Sequence, residues 1–131
     1  MNLQKLIREE GDEFRWNFKG FDCLIKRNNS GAWCGYVILD KDHDYYGINY
    51  DDLVIDCHGG LTYSDMNDDD KWIIGFDCSH YMDLVPNIHF TSSGIYRTKQ
   101  FVIDECEKIV DQIFDKSKSY RLDIKLKNIL D

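Results

Sequence analysis

An α+β fold, with a mainly antiparallel sheet packed against a long helix in the C-terminal half, is predicted by three features of this 131-residue chain. Apolar residues alternate with polar ones through Phe14, Trp16, Phe18 and again from Phe21 to Lys26, the period of half-buried strands. From Thr98 to Phe114 the period changes: Val102, Cys106, Ile109 and Ile113 follow helical spacing, with Asp104, Glu107, Lys108 and Asp111 on the other side. Between these regions lie several short apolar runs separated by turn formers, as antiparallel connections require.

Leu3, Leu6 and Ile7 share one helical face, so a short N-terminal helix ending near Gly11 is expected. The two alternating runs meet at Lys19-Gly20, a tight-turn signal. Asn28, Asn29, Ser30 and Gly31 form the next turn, and Ala32 to Leu39 a following strand. Asp40 to Asp52 reads as a surface loop, Val54 to Cys57 as a central strand, and Trp72 to Phe76 as a second one. The carboxylates from Asp65 to Asp70 require solvent, because clustered charges are not buried without partners. Asn87 to Arg97 reads as irregular, and alternation of Leu122, Ile124 and Leu126 predicts a last strand over Tyr120 to Leu126.

With 43% apolar residues, one Pro and no linker-like stretch, residues 1–131 read as a single domain with a real core. No run approaches the roughly 20 apolar residues of a membrane span, and Met1 to Glu13 lacks the apolar stretch of a signal peptide, so a cytoplasmic protein is expected. Cys23, Cys34, Cys57, Cys78 and Cys106 contain no C-x-x-C pair and read as reduced, mostly buried thiols. A net charge of −8 argues against tracking of genomic nucleic acid, which needs a basic surface. It is compatible with a small-molecule site or a basic protein partner.

Polar functional groups concentrate in two strand-end segments, Asp56 to Tyr63 and Asp77 to Asp83. In the first, His58 runs into Gly59-Gly60 and then Thr62 and Tyr63, so that backbone N–H groups can approach an anion closely; alternatively, Gly59-Gly60 forms only a β-bulge or turn and His58 is a satisfied, half-buried side chain. In the second, Asp77, His80 and Asp83 are spaced by three and share one side if the chain turns helical; alternatively, Asp77 caps a turn. Two such segments on neighbouring strands bring His58 and His80 to one rim, with Asp77 or Asp83 available to orient an imidazole for acid and base work. Two imidazoles and a carboxylate are also a metal-binding set, but the spacing matches no ligand motif. A calcium loop from Asp65 fails at Asp70 and Phe76, where Gly and Glu are needed. No metal or cofactor is therefore expected. Tyr96-Arg97, just before the long helix, adds a guanidinium suited to phosphate or carboxylate. Trp33, Tyr36, Tyr45, Tyr46, Tyr50 and Tyr63 are candidates for stacking.

The strings His58-Gly59-Gly60-Leu61-Thr62-Tyr63 and Gly75-Phe76-Asp77-Cys78 with His80 and Asp83, together with Cys34-Gly35-Tyr36-Val37, His43 with Tyr46-Gly47, Tyr50-Asp51-Asp52 and Tyr96-Arg97, resemble a family of small uncharacterised bacterial and phage proteins. The resemblance covers roughly Gly20 to the end of the long helix. It implies a phage or mobile-element accessory protein acting in the host cytoplasm against host defence. The residues and the resemblance together lead to three expectations. The first is binding, and sequestration, of a small polar ligand, phosphorylated or nucleotide-like, such as an immune signalling molecule. The second is a small hydrolase using His58 and His80 with Asp77 or Asp83. The third is an acidic inhibitor that binds a host effector protein through the Asp65 to Asp70 loop.

Overall fold

A computed structural model describes residues 2–88 and 94–130. The expected α+β architecture is present: a five-stranded antiparallel sheet with one of two C-terminal helices packed against it. Helix α1 (Leu3–Glu10) is capped by Asn2, whose side chain accepts the Gln4 and Lys5 N–H groups. Strands β1 (Glu13–Phe18) and β2 (Phe21–Arg27) form a hairpin closed by Lys19 and Gly20, both at positive φ. Asn28 then organises the turn into β3 (Trp33–Leu39), its carboxamide oxygen accepting from Ser30 and Ala32. Strands β4 (Tyr63–Met66) and β5 (Trp72–Asp77) complete the sheet in the order β1-β2-β3-β5-β4.

Helix α2 (Lys99–Ile113) begins at Thr98, whose hydroxyl accepts the Phe101 N–H. It buries Val102, Cys106, Ile109, Val110 and Ile113 against Cys23, Ile25, Val37, Ile74 and Phe76. The helix sits close because Gly35 has no side chain. A Cβ there would meet the Phe76 ring at 2.5 Å and Cys106 Sγ at 2.7 Å. All five cysteines are buried free thiols, and burial pushes Cys23 and Cys57 up to about 12.

Two expected strands are corrected. Val54 to Cys57 forms no strand and is unpaired with the sheet, and Val54 is fully exposed. The Asp56 N–H and carbonyl are instead taken by the Gln112 carboxamide on α2, at 2.8 and 2.7 Å, leaving no backbone pairing for a neighbouring strand. The strand beside β5 is β4, which includes Asp65; the exposed hairpin turn is confined to 67–70, where Asn67 accepts from Asp69 and Lys71. The second correction is at the C-terminus, where Tyr120 to Leu126 lies within helix α3 (Lys118–Leu130). Ser117 caps it by accepting the Tyr120 N–H, and Arg121 holds Asp44 at 2.7 and 3.0 Å. Asn87, Ile88 and Gly94 to Arg97 lie outside helices and strands, as expected, whereas 89–93 fall outside the described residues. Among the described residues, no helix is long and apolar enough to cross a membrane.

Candidate functional site

Both histidine segments lie beside the C-terminal end of β5, and they reach it through turns. Cys57 to Gly60 closes a turn through Gly60 N–H to the Cys57 carbonyl at 2.9 Å, and Thr62 N–H then bonds the Gly75 carbonyl. Gly59 has φ +68° and lies under His80: a Cβ there would be 2.2 Å from His80 Nε2. The glycine is required both for its backbone conformation and for this approach.

After β5, the chain does not become helical. Asp77 Oδ1 accepts the Ser79 N–H at 3.0 Å, and Met82 adopts φ 77°, so Asp77, His80 and Asp83 do not share a helical face. Asp83 is turned inward with its side chain fully buried, and Oδ2 accepts the His80 N–H at 3.0 Å. His58 Nε2 lies 3.0 and 2.9 Å from its two oxygens, and Arg97 Nε donates to Oδ1 at 2.8 Å. Burial pushes the Asp83 carboxyl up, but the bonds from His58, Arg97 and the His80 N–H outweigh it and hold the group below the usual carboxylate value.

The His58 ring packs edge-on to Phe101 of α2, centroids 5.3 Å apart, and to His80 at 5.8 Å. Arg97 lies over the same phenyl ring at 5.1 Å. Side-chain exposure of 16% for His58 and 21% for Arg97 leaves each with an edge toward solvent. Among the described residues, neither the second imidazole nitrogen of His58 nor the terminal nitrogens of Arg97 have a hydrogen-bond partner.

The remaining candidates divide between other places. Thr62 donates to Asp77 Oδ2 at 2.9 Å, and Tyr63 packs edge-to-face on Tyr36. With Asn28, Cys34 and Ser79 they line a cleft of about 320 Å³ on the sheet face opposite α2. His80 bridges the two groups, its Nε2 3.3 Å from Asp77 Oδ1, but the approach is too poorly aligned for a hydrogen bond and that nitrogen is buried without a partner. Tyr96 belongs elsewhere: its hydroxyl donates to Glu10 and accepts from Arg27. The proposed stacking residues are dispersed as well. Trp33 is in the core, Tyr45 packs on His43, and Tyr46 bonds the Asp70 carbonyl.

Sequence reasoning missed Phe101, which supports both His58 and Arg97; its position just inside α2, one turn after Arg97, was the available signal. His43, expected in a surface loop, is instead buried: its Nε2 meets the Ile113 carbonyl at 2.9 Å while Nδ1 accepts the Tyr45 N–H. A larger concavity of about 630 Å³ adjoins His43, but its Lys19 and Lys71 are already paired with Asp111 and Asp40. It offers an anion less than the His58–Arg97 edge does. Among the described residues, no group of three or more His, Cys, Asp or Glu side chains is arranged to hold a metal ion. No protein-family model, curated protein or solved structure significantly matches the chain.

Proposed function

We propose that the chain binds a small polar ligand through an anionic group, phosphate or carboxylate, received by the outer edges of Arg97 and His58. The observation that supports this is the way buried Asp83 holds both side chains from behind. A guanidinium fixed through Nε keeps its terminal nitrogens for a second partner, and an imidazole fixed through Nε2 keeps Nδ1. Asp83 takes only Nε of Arg97, so the terminal N–H groups of the guanidinium remain as charged donors for an anion. The tyrosines of the opposite face do not belong to this cluster, and the proposal therefore rests on the anionic group. Sequestration of an immune signalling nucleotide is the biological form we attach to it, supported by the motif resemblance.

The His58–Asp83 pair favours one second reading. A carboxylate on Nε2 fixes an imidazole tautomer and leaves Nδ1 as a general base, which suits hydrolysis of the same ligand. Protein purified from nucleotide-rich cells and then denatured should release a stoichiometric anionic compound that Arg97→Gln protein does not retain. An empty wild-type protein, or equal retention by the variant, would contradict the binding proposal. Turnover of the released compound by fresh protein would establish the hydrolytic form.

A further inference from the structure

Two surfaces of this chain are uncovered, and their properties are complementary. On α3, Leu122, Leu126, Ile129 and Leu130 fall within one arc of about 100° and are 56%, 48%, 69% and 84% exposed. A 13-residue helix is marginal in water unless its apolar side is packed. Ser117, the Asp42–Ser119 bond and the Arg121–Asp44 pair fix only its first turn, and residues 121–130 are all exposed.

The other surface is the sheet face opposite α2. Strand register places Leu24, Tyr36, Ile38 and Ile73 at its centre, each half-buried, with Tyr63 beside Tyr36. Glu13, Asp22, Asp65 and Asp77 surround them, against Arg15 and Lys26. The helix has the opposite balance: Lys118, Lys125 and Lys127 against Asp123, with Arg121 paired to Asp44. Dimensions agree too, since residues 122–130, beyond the turn held by their own chain, extend about 13 Å, within the roughly 19 Å that five strands span between the outer two.

We propose that this sheet face of one copy receives α3 of a second copy, and the reverse, in a two-fold dimer. The contacts at Ser117, Ser119 and Arg121 anchor the start of α3 across a concavity from Ile38 of its own sheet, and the apolar stripe beyond them is exposed and presented to another molecule. A membrane fits less well, because the chain's net charge of −8 opposes an anionic lipid surface. The His58–Arg97 cluster lies on the α2 side and takes no part in this contact.

Sedimentation equilibrium of the full chain tests the proposal. Wild type should approach twice the 15.5 kDa chain mass with rising concentration and dissociate as salt is added. Leu126→Asp, at an exposed helix position, and Asp65→Lys, at the exposed sheet rim, should each weaken association at least tenfold while retaining the thermal transition. A photo-cross-linker at position 126 in a mixture of isotopically light and heavy chains should yield mixed-isotope links to β3, β4 or β5. A wild-type monomer at all concentrations, unchanged association of either variant, or links only between two α3 helices would overturn the proposal. So would binding of anionic vesicles by a protein that does not self-associate.

Discussion

His58 and Asp83 meet across 25 residues of chain, with Nε2 of the imidazole 3.0 and 2.9 Å from the two carboxylate oxygens. Because Arg97 and the His80 N–H use the same carboxylate, Asp83 joins the turn after Cys57, the turn after β5 and the approach to α2. Asp83→Asn keeps the shape but removes the charge, and it should cost about 2 kcal/mol by weakening the charge-assisted bonds to the half-buried Arg97 and His58. Denaturant unfolding at neutral pH measures the difference.

The same carboxylate gives that difference a pH dependence with a defined sign. Its folded-state value lies below the ordinary 3.8, so its stabilisation is complete above 3.8 and is lost as pH falls through the lower folded value. The gap between wild type and Asp83→Asn should therefore narrow below about pH 3.8. A constant gap from neutrality into acid would show that the Asp83 charge does not contribute to folding.

Gly59→Ala tests the packing of the two histidine turns. The added methyl carbon meets His80 Nε2 and Cδ2 at 2.2 and 2.3 Å, at a backbone φ of +68°. We expect a loss of roughly 1–3 kcal/mol from the strained backbone, together with loss of ring-to-ring NMR cross-peaks between His58 and His80. Unchanged stability and retained cross-peaks would contradict the contact.

Arg27 should resist even conservative replacement. Its guanidinium donates to the Gly11, Gly31 and Ile7 carbonyls, meets Glu10 at 3.4 Å and Tyr96 at 3.0 Å, and stacks 4.1 Å over Trp33. Lysine cannot reproduce this planar fork, so Arg27→Lys should cost about 3 kcal/mol and raise amide exchange through α1. Wild-type exchange in α1 would show that the helix is held by other contacts.

The parts of the fold that the sequence reveals are those governed by one dominant period. Val102, Cys106, Ile109 and Ile113 are all buried on α2, and the alternating runs around Lys19-Gly20 form the first hairpin. Val54 to Cys57 reads as a strand because its composition is apolar, whereas its backbone partner is the side chain of Gln112, which no local pattern reveals. Leu122, Ile124 and Leu126 alternate, but the first and last also stand one helical turn apart, so a seven-residue window suits both structures.

The candidate site was legible to a similar depth. His58 and His80 stand out because each ends a short apolar run and enters a turn, and the structure brings their rings within 5.8 Å although only the run before His80 is a strand. The different roles of the carboxylates were hidden, because they depend on Met82 taking a positive φ that turns Asp83 inward while Asp77 remains with Thr62 and Ser79. Tyr63 and Arg97 read as one site in sequence because strand alternation does not reveal which face a following loop approaches.

The most direct test of the anion-binding account is an NMR titration of the full-length protein with inorganic phosphate and pyrophosphate, following the His58 ring and the Arg97 guanidinium. The account predicts saturable shifts at both side chains, weakened at least tenfold in Arg97→Gln, with the Tyr36 and Tyr63 signals undisturbed. Absence of saturable shifts at His58 and Arg97, or equal saturation in Arg97→Gln, would contradict it.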